Sequence, residues 1–392
     1  MPMPRRWTSI LFLWLLGVLA AAQLAKISVI APVLRSRFGL TLTETGWLIS
    51  LLEVGGGLFG FVAGLGLGRV GCRRALLSGL VLLAVSGLWE ASASSAIPLF
   101  AARAMEGLAY LLVVIAAPTT IATIADAHAR PRALALWSTF VPVGVAIGSA
   151  VTSLALAPWG LRGVMLGWAM LVMAAIPIAI RLPIGHGIEN RIAFPPAPAW
   201  LATIAFGLYT LSICALTMLL PTYLVEQRGA AISTSGLIAA LASGATLPAF
   251  GFALWAMRGG APGRRTMILI ATPALVGAGA LGAAAFTGGT GLAGASMLAV
   301  LAIGVGGIVS PLMFARLPVL AGVRRGDDPR IASANGLLTQ FGAGGALLGP
   351  PLAARLVEHA GWQALGIAFA LLSLAMLATL IAAEQLSLRT AA

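Results

Sequence analysis

Long apolar runs separated by short polar breaks set the pattern of this chain. Twelve can be marked off, at 10–34, 44–68, 75–95, 98–125, 133–157, 163–181, 200–225, 232–257, 266–286, 292–316, 333–357 and 362–384. Most have the roughly 17–25 residues a helix needs to cross a hydrocarbon core. A closed barrel would show shorter alternating segments, and open strands would leave backbone groups unpaired in lipid. The expectation is an all-α membrane protein with twelve transmembrane helices. Pro118, Pro142, Pro221, Pro248 and Pro311 fall inside runs, where they predict kinks or irregularities facing the bundle.

Composition agrees. Of 392 residues, 60% are hydrophobic and 9% are charged, more apolar surface than a soluble fold can hide. The formal charge of +13 has a topological origin. Seventeen arginines lie in the termini and in the loops on their side, including Arg5, Arg6, Arg264 and Arg265. The opposite loops hold five, Arg35, Arg37, Arg162, Arg228 and Arg355. This bias predicts cytoplasmic termini and a multi-pass protein of a bacterial inner membrane. It removes the need for a nucleic-acid partner; the expected partners are the lipid bilayer and a small-molecule substrate, bound by a monomer. Cys72 falls in a loop and Cys214 in a span, so no disulfide is expected, and His128, His186 and His359 are too scattered for a metal set. The start, MPMPRRW, resembles a signal-peptide n-region, but the apolar run continues to residue 34 without a cleavage pattern and reads as the first span.

The Pro- and Gly-rich segment 182–199 divides the chain into an N-terminal six-helix bundle, 1–181, and a C-terminal one, 200–392. The halves echo one another. Gly68 and Gly71 correspond to Gly260 and Gly263, Pro118 to Pro311, and the Gly144/Gly148 pair to Gly345/Gly349. Such offsets suggest internal duplication, the arrangement that rocking around a central site requires.

Between the second and third runs stands RVGCRR, a short basic loop preceded by glycines. It resembles the signature loop of the major facilitator superfamily of secondary transporters, matching at Gly64, Arg69, Gly71, Arg73 and Arg74. Gly68 stands where that pattern has an aspartate, and Cys72 precedes the basic pair. The resemblance implies two pseudo-symmetric six-helix bundles and a gating role for the loop. It also predicts that Arg73 or Arg74 pairs with an acid from elsewhere on that face, with Asp126 the nearest candidate. Arg103 followed by Gly107 is similar to a second family pattern, in which the arginine serves proton transfer or substrate binding. Pro142, Gly144 and Gly148 resemble, incompletely, the glycine-proline motif of family exporters. The first half as a whole looks distantly similar to the cyanate and nitrate-type anion transporters.

Few polar groups lie deep in the runs. Lys26, with Gln23 one turn away, sits too far from either end to snorkel easily, so it is expected to face the bundle. It either attracts an anionic substrate or forms a permanent structural pair. Glu53 can share its depth and is a candidate proton-coupling carboxylate or the partner of Lys26. Arg103 and Glu106 share one helix face and can neutralise each other. The second half offers Tyr209, Thr210, Asn335 and Gln340 as hydrogen-bonding groups. No intramembrane constellation suits an enzyme, and no loop resembles a nucleotide-binding one, so no cofactor is expected and the energy source would be a proton gradient. The sequence thus predicts a proton-coupled carrier of a small, anionic organic solute, with a proton-driven multidrug or metabolite exporter as the alternative.

Overall fold

The computed structural model describes residues 3–125, 130–182, 194–256, 262–322 and 330–391. Among the described residues all regular structure is helical. Ten helical stretches are long and apolar enough to cross a membrane. Two of them turn back on themselves. Phe140–Ile180 is broken at Gly160 (φ 63°) and Arg330–Ala391 at Gly361 (φ 78°), a left-handed conformation that glycine adopts without steric cost. Spans five and six are therefore the two arms of the first, spans eleven and twelve those of the second, and twelve crossings result. The remaining spans are Met3–Phe38 (one), Leu42–Val70 (two), Cys72–Ser92 (three) and Ala96–Ile124 (four). They continue with Ala197–Arg228 (seven), Ile232–Ala256 (eight), Arg264–Ala285 (nine) and Leu292–Leu320 (ten).

The prolines sort into two groups. Breaks in the helices fall at Thr139, at Ala245 and at Gly307–Ile308. Each lies three or four residues before a proline, namely Pro142, Pro248 and Pro311. That is where a proline ring clashes with the preceding turn and removes its hydrogen bond. Pro118 and Pro221, by contrast, sit inside continuous helices. Span two is interrupted without proline by a 3₁₀ turn, Leu51–Glu53.

Glycines make the closest seams. A Cβ added at Gly144 or Gly148 would stand 2.5 Å from the Val18 carbonyl or 2.7 Å from the Ala22 carbonyl of span one. The equivalent additions at Gly345 and Gly349 would meet the Gly207 and Leu211 carbonyls of span seven at 2.2 and 2.3 Å. The one–five seam and the seven–eleven seam are thus the same device used twice, which matches the sequence echo. The two halves meet along spans two and eleven. There a Cβ on Gly46 would lie 2.8 Å from the Pro350 carbonyl, and one on Gly56 would lie 2.7 Å from Ala343 Cβ.

The basic loop is shorter than a turn. Gly71 alone, at φ 86°, ends one helix and begins the next. Arg73 donates to the Ile180 carbonyl at 2.7 Å, capping the last residue of span six. The surroundings of Gly64, the side chain of Arg69, the proposed partner Asp126, and most of the 182–199 linker lie outside what is described.

Candidate functional site

Four ionisable side chains meet inside the first half, each fully shielded from solvent: Lys26, Glu90, Arg103 and Glu106. Lys26 Nζ donates to Glu90 Oε2 at 2.5 Å and to Glu106 Oε1 at 3.1 Å. Arg103 donates through Nη1 to Glu106 Oε2, and the same nitrogen stands 3.9 Å from Glu90 Oε1. Two cations and two carboxylates sum to zero, which is the condition for tolerating charge at this depth.

The rest of the Arg103 guanidinium explains how the cluster is positioned. Nε donates to the Leu48 carbonyl at 3.1 Å, while Nη2 donates to the Gln23 and Ile49 carbonyls at 3.0 and 3.1 Å. Leu48 and Ile49 lie just ahead of the 3₁₀ turn in span two. Gly107, one turn beyond Arg103, lets that turn approach: a Cβ there would be 2.3 Å from the Leu51 carbonyl. The Arg103/Gly107 spacing therefore joins spans one, two and four, with the arginine holding backbone that the glycine brings near.

Glu53 stands apart. It is 9% exposed and makes no hydrogen bond or ion pair among the described residues. Arg103 acts on it electrostatically, and it in turn acts on Tyr110 of span four and Cys214 of span seven. A Cβ on Gly56, the residue facing Ala343 of span eleven, would lie 3.7 Å from Glu53 Oε2. Its carboxyl therefore lies beside the seam between the halves. The Lys26–Glu53 pair raised by the sequence is not formed; Glu90 and Glu106 take the ammonium instead, because span four packs against span one there and carries span three, with Glu90, on its other side.

The other expected residues disperse. Gln23 contributes its carbonyl to Arg103, while its side chain bonds back to Leu19 at 3.2 Å. Thr210 bonds to carbonyls of its own helix and is wedged against Gly345. Tyr209 stacks on Phe206 with ring centroids 5.9 Å apart. Gln340 Oε1 accepts from the Phe61 N–H at 3.2 Å, a tie between the halves, and Asn335 is exposed. The sequence reading missed Glu90 as a site residue. It lies two residues from the end of span three, where an acid reads as interfacial. No charge imbalance signalled it, since Glu53 and Glu106 already matched Lys26 and Arg103 in number.

A twelve-span helical protein with a compensated charge cluster inside one half and a free carboxyl on the seam has the build of a membrane transporter. The sequence matches the family model described as Major Facilitator Superfamily over residues 13–326, so the chain belongs to that superfamily, whose members are transporters rather than enzymes. It is 24% identical over 186 residues to the Arabinose-proton symporter of Escherichia coli (strain K12), covering 47% of this chain and 37% of that one. It is 28% identical over 204 residues to the "Probable multidrug-efflux transporter Rv1634" of Mycobacterium tuberculosis, covering 49% of this chain and 41% of that one. The matched stretch thus spans about two fifths of the length of these curated relatives. In fold it resembles the crystal structure of a bacterial homolog to the human lysosomal transporter Spinster, with TM-score 0.74 and 15% identity. That alignment covers 100% of this chain and 98% of that one.

Proposed function

We propose that this protein is a proton-coupled secondary carrier for a small organic solute, working by alternating access between its six-helix halves, 1–181 and 200–392, joined by the 182–199 linker. One contrast carries the reading. Glu90 and Glu106 are tied to Lys26 and Arg103, whereas Glu53 has no such tie and lies beside the seam. A carboxyl whose charge is not locked by a partner, on a surface that separates when the halves rock, can take up a proton from one side and release it to the other. A relative named as a proton symporter supports the coupling. The arginine bias supports cytoplasmic termini and the inner membrane.

An anionic solute remains within the proposal on one condition: Lys26 must first be released by Glu90 or Glu106. The neutral sum of the cluster and the relative named as a multidrug-efflux transporter favour the second reading, a proton-driven exporter of neutral or cationic solutes. The test is the same for both. In liposomes, arabinose and ethidium serve as trial solutes. Glu53→Gln is expected to abolish accumulation driven by a pH gradient while sparing counterflow of whichever solute the wild type moves. The same variant should lose a pH-dependent carboxyl band in infrared difference spectra of the purified protein. Full proton-driven accumulation in Glu53→Gln would overturn the reading.

A further inference from the structure

On the face opposite the termini, a cavity of about 110 Å³ opens between the ends of spans one, three, four and six. Leu99, Leu161 and Met165 form its apolar wall, Arg37 and Arg162 line it as exposed cations, and Glu90 is one of its lining residues. It touches neither Glu53 nor the two–eleven seam. That volume has room for several water molecules, each needing roughly 10–15 Å³ of it.

A second observation at Glu90 points the same way. While Oε2 is held by Lys26, Oε1 is buried and finds no donor among the described residues. With the Arg103 guanidinium no nearer than 3.9 Å, this buried carboxylate oxygen lacks a hydrogen-bond donor, and water in an adjoining polar pocket is the ordinary remedy. The groups facing Glu90 are Lys26 of span one, Arg103 and Glu106 of span four, and the lining arginines Arg37 and Arg162. Neither lining arginine forms an ion pair among the described residues; Arg37 lies over the Phe38 ring, 5.4 Å from its centroid.

We propose that this crevice is a proton port to Glu90, through which the charge cluster of the first half exchanges protons with the outer aqueous phase without using the path between the halves. This port rests on the proton-coupled reading for its purpose, though not for its existence. Water in the crevice relays the proton from the carboxyl to the mouth. Near neutral pH free hydronium is scarce and proton exchange runs through buffer. The two arginines draw anionic buffer to the mouth and repel metal cations. Proton transfer here moves one proton from the Glu90 carboxyl to a buffer anion, leaving the carboxylate paired with Lys26, and reverses on acidification.

The experiment is a rapid pH jump on the purified protein, with carboxyl bands followed by infrared spectroscopy in phosphate buffer. The Glu90 band is assigned by its loss in Glu90→Gln or, if the stranded Lys26 prevents folding, in Lys26→Met/Glu90→Gln. Ala93→Trp, which puts a ring into the crevice and leaves the four ionisable residues of the cluster in place, should slow the Glu90 response by about tenfold and leave the Glu53 band unchanged. Arg37→Gln/Arg162→Gln should make the rate several-fold less sensitive to phosphate concentration. A Glu90 response unaffected by Ala93→Trp, equal slowing of both bands, or no Glu90 response at any pH would each overturn the proposal. If Glu53→Gln keeps proton-driven accumulation while the crevice variants behave as expected, the coupling reading falls and the port stands.

Discussion

Arg103 directs more of its guanidinium at backbone than at carboxylate: three carbonyls on two neighbouring spans against the Glu106 oxygen. Its removal therefore strands polar backbone as well as charge. Arg103→Ala should lower stability by about 3–5 kcal/mol, the range for breaking one side of a buried pair. Arg103→Lys should fall between it and the wild type, because an ammonium keeps the charge but cannot reproduce the fork. Thermal unfolding in detergent checks both; an Arg103→Lys as stable as the wild type would mean that the carbonyl bonds carry nothing. Lys26 and Glu90 invite a double-mutant cycle. Lys26→Met and Glu90→Gln should each destabilise, and the pair together should cost at least ~1 kcal/mol less than the sum. Of this site, Lys26, Arg103 and Glu106 were legible in the sequence because an ion deep in an apolar run has no innocent explanation. Glu90 was not, because a position near a helix end looks solvated until spans one and four are packed around it. Depth could be counted along each run, but rotation could not, and rotation decides that Lys26 meets Glu90 instead of Glu53.

At the scale of elements, seams made by glycine set how closely helices approach. Gly107→Ala would bring a Cβ to 2.3 Å from the Leu51 carbonyl and 2.9 Å from Val54 Cγ1. Gly345→Ala would meet the Gly207 carbonyl at 2.2 Å and Thr210 Oγ1 at 2.3 Å. Since backbone cannot swing aside as a side-chain tip can, each should cost about 1–3 kcal/mol. Gly344→Ala meets nothing within 4 Å and should be neutral or slightly stabilising. Equal melting temperatures for Gly345→Ala and Gly344→Ala would contradict this account. The spans themselves were readable almost to their ends, since the hydrocarbon thickness dictates their length. The 3₁₀ turn at Leu51–Glu53 was not readable, for LLE between apolar neighbours carries no proline or turn residue. The turn is stabilised from outside, by Arg103 and Gly107.

Over the whole molecule, the two halves are tied at the end opposite the termini. Arg35 pairs with Glu226 of span seven, and Glu358 accepts from the Thr43 N–H at 2.9 Å and from its hydroxyl at 2.5 Å. Ties this exposed are weak, roughly 0–1 kcal/mol for the ion pair. Arg35→Ala/Glu358→Ala should therefore shift the population toward opening at that end by no more than about tenfold, read as broadening of spin-label distances between spans one and seven. An unchanged distance distribution would show that packing between the halves, at the Gly46–Pro350 seam and where Gly236 of span eight meets Ser153 of span five, holds this end closed without these ties.

The confinement of the charge cluster to spans one, three and four has an evolutionary consequence. Its four residues constrain one another, so a change in any single one strands another, and lineages should rarely drift there. In the second half, among the described residues, Thr210, Tyr209 and Gln340 are not bound into a comparable reciprocal set. Those positions are free to diverge. A chimera keeping residues 1–181 and taking its second half from a related carrier should inherit the donor's solute range while its infrared signature from Glu90 stays that of this protein.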